Sequence, residues 1–386
     1  MGIVGRAKNR TGGTPRLVPG RVRVVQAVIL AGGRGERLRP LTADRPKPLV
    51  PLFGRPLLGY LVEHLRSRGV EEILVSAGHL GEQVASYVTG LPPGAPVRCR
   101  IERRARGTAG AVADLLPQLH SPFLVVSGDA VIDIDVGALL ELHRRAGNAA
   151  TLCLAPPSER LRFGTVALRG GSVSRFLEKP ALAELLPGTS VSTGCYLLER
   201  DALAGLPPEQ PADFALDVFP ALLRRGAPLG ALAAARFWRD IGTLEAYRHT
   251  HFEGLGGALP WRLPQAAELR ADAPGGPVHL GQGVQLSPGS RLFGPAFIGD
   301  GCRIERGAEV RRCVLLAGSS VGPGAVVADC VLEHGARVPA GWQLVGAGVA
   351  GRPAASLRQS RPAVARKPPT ALSGREAGNV AAAPVP

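Results

Sequence analysis

Residues 24–42 read VVQAVILAGGRGERLRPLT. The run Val24–Leu30 is apolar and β-branched almost throughout, the composition of a strand covered on both faces. It breaks into a glycine-rich loop. Downstream, LLGYLVEHLRSRG sets Leu57, Leu58, Leu61, Val62 and Leu65 at helical spacing and stops at Gly69. EEILVSA predicts a second strand, GEQVASYV a short helix and VRCRIE a third strand. GTAGAVADLLPQL predicts a helix entry, FLVVSGD a fourth buried strand and DVGALLELHRRAG another helix. Strands alternating with helices predict an α/β fold, a mostly parallel sheet with helices on both faces. Such sheets bind ligands beyond the carboxyl ends of their strands, here the loops after Leu30 and Val126.

The middle of the chain is less regular. FGTVALRGGSVSRFLEKP predicts a hairpin turning at Gly170-Gly171, an antiparallel addition to the sheet. A strand through GCYLLE, a helix through FALDVFPALLRRG and a strand through LGALAAARFWRDIG follow, with GTLEAYRHTHFEGL as the last helix. Residues 259–277 contain Pro260, Pro264, Pro274 and Pro277 and read as a linker. Beyond it the period changes. Leu280, Leu286, Leu292, Ile298, Ile304, Val310 and Leu316 are aliphatics at an unbroken spacing of six, and the run continues with slips through Val321, Val327, Leu332 and Val338. Neither a helix nor a flat sheet repeats at six. A hexapeptide parallel β-helix does, each short strand placing one aliphatic in a shared interior.

The chain has 386 residues, enough for two or three domains at roughly 100–200 residues each. Apolar residues at 45% against 20% charged allow a sizeable core, and no apolar run approaches the roughly 20 residues that cross a bilayer. The net charge of +15 suggests nucleic acid until it is located. Residues 1–23 hold six basic residues and no acid, and residues 352–386 hold six against Glu376 alone, so most of the excess sits at the two ends. That distribution, with aromatics at only 4%, argues against a specific nucleic-acid surface. The ends read as a basic flexible leader (1–23) and a disordered basic Pro/Ala-rich tail (350–386). Between them lie a first domain at 24–258, the linker at 259–277 and the repeats at 278–349. The leader lacks the apolar segment of a secretory signal, and the six cysteines show neither CxxC nor metal-ligand spacing. Both features point to reduced thiols in a cytoplasmic protein. Only four of the 46 basic residues are lysines, and just Lys47 and Lys179 lie inside the folded part, in the contexts RPKP and EKP. A compact ammonium suits a tight phosphate site where a wide guanidinium fork does not.

The loop Gly32-Gly33-Arg34-Gly35-Glu36-Arg37 could bring backbone N–H groups to an anion, with Arg37 and Lys47 at the same mouth. It is neither a Walker A loop, since no GK[ST] follows, nor a GxGxxG fingerprint, since Leu38 stands at the third glycine position. Asp129 in VVSGD and Asp240 in FWRDIGT each close a strand. Two such carboxylates in one pocket could hold Mg²⁺, whereas either alone reads as a turn former or helix cap. Glu178-Lys179 is a charge pair at another strand end.

In order, GGxGxRLxPLTxxxPKPL, GTAGA, SGD, EKP, an STG strand and WRDIGT, followed by hexapeptide repeats, resemble the sugar-nucleotide pyrophosphorylases. These nucleotidyltransferases act on sugar 1-phosphates, and the resemblance spans about residues 24–345. It implies a Rossmann-like sheet followed by a short left-handed parallel β-helix. It implies Mg²⁺ on Asp129 and Asp240, triphosphate on Arg37 and Lys47, and sugar phosphate on Lys179. It further implies a nucleotide along Gly32, Gly33, Gly35, Gly107 and Thr108, and the sugar near Gly164, Glu178 and Thr193. Three positions depart from the family pattern: Glu36 where Thr or Ser is frequent, RRAR before Gly107, and Ser192 where Asn is frequent.

The reaction implied is NTP plus sugar 1-phosphate giving NDP-sugar and pyrophosphate. Likeness to guanylyltransferases that carry a short β-helix favours GTP and mannose 1-phosphate, while thymidylyl-, uridylyl- and adenylyltransferases of glucose 1-phosphate share the same motifs. A non-catalytic sensor of nucleotide sugar is a further alternative. An acyltransferase working on the β-helix is disfavoured, because His279 and His334 are the only histidines of the repeats. The coils are expected to join copies into a homo-oligomer.

Overall fold

The computed structural model describes residues 24–346 and 348–349, apart from 93–95, 156–162, 182–188 and 208. The expected leader and tail lie outside the described residues. The first half runs β1 (Val24–Ala31), α1 (Leu57–Ser67), β2 (Val70–Ala77), α2 (Gly81–Thr89), β3 (Val97–Ile101), α3 (Gly107–Ala113), β4 (Phe123–Ser127), β5 (Ala130–Ile134), α4 (Val136–Ala146) and β6 (Ala150–Ala155). The second adds β7 (Thr165–Arg169), β8 (Ser172–Leu177), β9 (Ser190–Leu198), α5 (Phe219–Arg224), β10 (Leu229–Leu232), β11 (Ala235–Asp240) and α6 (Leu244–Leu255).

Nine of these strands form one sheet in the order 3-2-1-4-9-6-10-8-7. β1 explains its own composition. Ala27 and Ile29 pack into the core under α1, α2, α4 and α6, while Val28 packs into the opposite core under α3 and α5. Both faces are covered, so the strand has no solvent-facing side, and its one polar residue, Gln26, is buried and donates to Glu72 and to Gln118 O. Strands β3, β2, β1 and β4 are parallel, as expected.

The other half corrects the expectation of a mostly parallel sheet. β9 lies antiparallel to β4 and β6, β8 lies antiparallel to β7 and β10, and a further antiparallel pairing of β9 with β7 closes these last five strands into a ring. No crossover helix separates β6, β7, β8 and β9 among the described residues, and antiparallel pairing needs none. The strand expected across LGALAAARFWRDIG is two strands. β10 joins the large sheet beside β6, the chain turns sharply where Ala234 N donates to Leu232 O (2.8 Å), and β11 pairs with β5 instead.

The C-terminal coils build three stacked parallel sheets. The first coil advances 18 residues (Val278 beside Ala296) and later ones 17 (Val314 beside Val331), which accounts for the slips in the repeat. Three interior columns result: Leu280–Ile298–Leu315–Leu332, Leu286–Ile304–Val321–Val338 and Leu292–Val310–Val327–Leu344. Leu315, not Leu316, continues the first column. Leu316 turns outward and is buried with Phe297, Val314 and Val331 against the first domain's core. The proline-rich segment 259–277 is likewise docked. Trp261 stacks on Tyr60 (5.4 Å) and its Nε1 donates to Ile132 O (3.2 Å), and Glu268–Arg270 pairs with Val278–Leu280. Among the described residues no helix is long and apolar enough to cross a membrane, and all six cysteines are free thiols.

Candidate active site

Strands β1, β4 and β11 end at one place. Gly128 N donates to Leu30 O (2.8 Å), and a Cβ at Gly128 would stand 2.6 Å from that oxygen, so only glycine lets β4 leave the sheet there. The turn delivers Asp129. The pairing of β11 with β5 sets Asp240 opposite Ala130, and Ile241 N donates to Asp129 O (3.2 Å). Two carboxylates 111 positions apart in sequence thereby face one point. The Lys47 ammonium occupies it, 2.9 Å from Asp129 Oδ2 and 3.3 Å from Asp240 Oδ1. Lys47 itself is 7% exposed.

Burial alone would lower the Lys47 pKa, but the two carboxylates outweigh it and hold the lysine above its ordinary value. Burial likewise opposes ionisation of Asp129, yet Lys47 and the Ser127 hydroxyl, which donates to Asp129 Oδ1 (2.5 Å), keep that carboxyl below the usual range. Asp240 goes the other way. Its burial, incompletely offset by Lys47 and reinforced by Asp129, pushes it up.

Two clefts meet at Asp129 and Ser127. The larger, about 340 Å³, is lined by Gly32, Gly33, Lys47, Glu102, Gly107 and Thr108. The smaller, about 230 Å³, is lined by Arg37, Gly164, Glu178, Lys179, Thr193 and Asp240. In the larger, Gly107 takes φ 69° and a Cβ there would meet Ala212 O at 2.5 Å, so the backbone itself forms the wall. In the smaller, Lys179 is exposed with Nζ 3.5 Å from Glu178 Oε1, and burial raises the Glu178 pKa despite that ammonium.

This pair of clefts, glycine backbone on one side and an exposed lysine on the other with acids between, suits two phosphorylated ligands meeting end to end. Residues 26–253 match the family described as nucleotidyl transferase. The chain belongs to that family. Residues 286–350 of this nucleotidyltransferase match the GlmU-like C-terminal hexapeptide family. The enzyme is 31% identical over 358 residues to the UTP–glucose-1-phosphate uridylyltransferase of Synechocystis, covering 81% of this chain and 90% of the relative. It is 32% identical over 358 residues to the mannose-1-phosphate guanylyltransferase of Mycobacterium tuberculosis, covering 81% of this chain and 99% of the relative. The crystal structure of HddC from Yersinia pseudotuberculosis superposes with a TM-score of 0.51 at 27% identity, over 59% of this chain and 98% of HddC. A second HddC structure, complexed with GMP-PN, has a TM-score of 0.50 at 27% identity, over 58% of this chain and 97% of that one.

The transferase brings together, along the two clefts, every candidate ligand-binding residue named from the sequence except Gly35. That glycine lines neither cleft. It turns the loop at φ 62°, with its carbonyl tied to the Thr42 hydroxyl (2.8 Å). Arg37 lies on the Lys179 side, beside Asp240, rather than along the larger cleft. The Thr193 hydroxyl is engaged by Cys153 O (2.8 Å), so this residue presents backbone more than side chain. Glu36 lines neither cleft; it is exposed, 4.0 Å from Arg34.

Sequence reasoning missed Glu102, Ser127, Asp213 and Trp238 as cleft walls. Asp213 accepts from the Thr108 hydroxyl (2.8 Å) and caps the turn that begins at Phe214. Trp238 donates to Thr193 O (3.1 Å) and meets Phe163 edge to face at 4.8 Å. Ser127 and Trp238 stand inside motifs already quoted, whereas nothing local marks Glu102 or Asp213.

Proposed function

We propose that the chain transfers a guanylyl group from GTP to mannose 1-phosphate, giving GDP-mannose and pyrophosphate. The observation that carries the choice of base is Glu102. It lines the larger cleft next to Gly32 and is held by the Ser76 hydroxyl (3.0 Å). A carboxylate only accepts hydrogen bonds. Guanine alone offers two adjacent donors, N1–H and the 2-amino group, along its pairing edge. Uracil and thymine set one N–H between two carbonyls that a carboxylate repels. The guanylyltransferase of M. tuberculosis and the HddC complex with GMP-PN agree with this reading.

In the reaction a sugar phosphate oxygen attacks the α-phosphorus, a new P–O bond forms, and the bond to the β-phosphate oxygen breaks as pyrophosphate leaves. The nucleophile is already anionic, so placement and charge neutralisation suffice. Gly32, Gly33, Gly107 and Thr108 would cradle the nucleotide and Lys47 would neutralise the departing pyrophosphate, while Arg37, on the Lys179 side beside Asp240, would face the incoming sugar phosphate. Lys179, exposed and free to swing from Glu178, would hold the attacking phosphate, with Glu178 on sugar hydroxyls. Asp129 and Asp240 fit Mg²⁺, because they already converge on one cation. Among the described residues no third acidic, His or Cys side chain joins them, so substrate phosphates and water would complete the shell. The metal would supply positive charge at the α-phosphate when bound.

The Synechocystis relative favours a second reading, uridylyl transfer to glucose 1-phosphate. Pyrophosphate release with Mg²⁺ over GTP, dTTP, UTP, CTP and ATP against mannose, glucose and N-acetylglucosamine 1-phosphates decides between them. A preference for GTP with mannose 1-phosphate is expected. Preference for UTP overturns the role given to Glu102, and silence across the grid with nucleotide sugar still bound leaves a sensor. Two further parts of the proposal are a homo-oligomer joined through the β-helix, read by light scattering, and a cytoplasmic location.

A further inference from the structure

A third concavity, about 490 Å³, lies beside the nucleotide cleft and shares Glu102 and Ala111 with it. Its floor is the sheet face at the outer edge, where Ser76 of β2 and Arg100 of β3 are register neighbours. The stretch Arg103–Arg106 folds along one side, so four guanidinium groups line one hollow.

Its charges are unevenly committed. Arg106 is buried, pairs with Asp114 (3.3 Å) and donates to Gln210 O. Arg104 faces Glu209 (3.7 Å), and Glu102 accepts from the Ser76 hydroxyl. Asp114 and Glu209 are thereby paired with arginines, and among the described residues Glu102 carries only the Ser76 hydroxyl. Arg100 and Arg103 have no ion-pair or hydrogen-bond partner among the described residues. Guanidinium forks match the oxygens of a phosphate two at a time, and charge-assisted bonds of this kind are about twice as strong as neutral ones.

We propose that this hollow binds a small phosphate ester other than the two substrates. The phosphate sits on Arg100 and Arg103, and the remaining volume, with the Ser76 hydroxyl at its floor, takes the rest of the ester. Because Glu102 walls both spaces, occupancy alters how tightly the nucleotide is held rather than the transfer step. Neither lysine of the substrate clefts takes part, since Lys47 and Lys179 line other spaces.

The test is calorimetric titration of the full chain with inorganic phosphate, without GTP or sugar, so that it stands apart from the proposed reaction. The variant R100Q/R103Q changes two exposed side chains, and K179Q reports phosphate held at the substrate cleft instead. The binding event assigned to the hollow is expected to weaken about tenfold or more in R100Q/R103Q and to persist in K179Q, which removes only phosphate held in the substrate cleft. Equal affinity of R100Q/R103Q and wild type, a loss confined to K179Q, or no binding by the wild type overturns the proposal. Thermal unfolding of both variants without phosphate confirms that the fold is intact.

Discussion

The Lys47 ammonium stands 2.9 Å from Oδ2 of Asp129, a residue that lines both clefts. With Asp240 as its second contact, this lysine occupies the point where a divalent cation would have to bind. A divalent cation bound by Asp129 and Asp240 would therefore compete with the lysine for the same oxygens. Replacing Lys47 by Met is expected to tighten Mn²⁺ binding to the nucleotide-free protein, read by paramagnetic resonance. It should also cut turnover by about 10²–10³-fold, the typical loss of one preorganised group facing developing charge. Unchanged Mn²⁺ affinity would show that the two cations do not share these carboxylates.

Asp129 and Asp240 respond oppositely to pH. Asp129, with its lowered native pKa, contributes stability that is present above its unfolded value and lost as pH falls through the native one. Asp240, with its raised native pKa, costs stability whenever it is ionised, and the cost disappears as acid protonates it. Asp240→Asn should therefore leave Tm at pH 7 unchanged or raised, with the gain fading toward pH 4, while turnover collapses. Such a trade of stability for activity is expected where charges are gathered for chemistry. A lower Tm for the variant at pH 7 would contradict the direction assigned to Asp240.

Glu102 is held by Ser76 in the nucleotide cleft, and its exchange for glutamine swaps one acceptor for a donor. Glu102→Gln should lower kcat/KM for GTP by about 10²-fold, comparable to leaving buried polar groups of a reading site unpaired. The same variant should narrow the gap to UTP, whose carbonyls can accept from the new amide. Steady-state kinetics with both nucleotides measure this, and a uniform loss for GTP and UTP would place Glu102 outside base selection.

The part of the fold that was legible from sequence is the part decided locally. Val24–Ala31 could be read because burial on both faces leaves a continuous apolar run, and the β-helix because each coil repeats one aliphatic column. β5 could not, because AVIDI follows SGD with no separating turn signal beyond Gly128-Asp129. The break between β10 and β11 falls in a run of alanines whose change of partner is set by distant strands. The candidate site divides the same way. Lys47, Asp129, Lys179 and Asp240 stand in motifs with unusual composition, whereas Glu102 and Asp213 are ordinary acids made into cleft walls by tertiary placement. Leu316 shows the limit of periodicity: one residue fewer per coil moves it from the interior to the domain contact.

Phe297 belongs to the β-helix, yet its ring lies 5.1 Å from Phe53 and 5.0 Å from His251 of the first domain and is 3% exposed. His251 Nε2 accepts from Phe53 N (3.2 Å), and burial pushes its pKa down to about 3, so the imidazole stays neutral within the apolar contact. The two halves consequently share one core and should unfold together. Phe297→Ala removes the ring that closes it, at about 3–5 kcal/mol for a buried phenylalanine. Denaturant unfolding followed by far-ultraviolet dichroism and by tryptophan fluorescence should superimpose for the wild type and separate for the variant. Phe53 follows Lys47 closely in the chain, across the short turn Lys47–Leu49, so loosening it should also reach the ammonium and lower kcat. Superimposed transitions and unchanged kcat in Phe297→Ala would mean that the β-helix is held by Val314, Leu316 and Val331 without help from this ring.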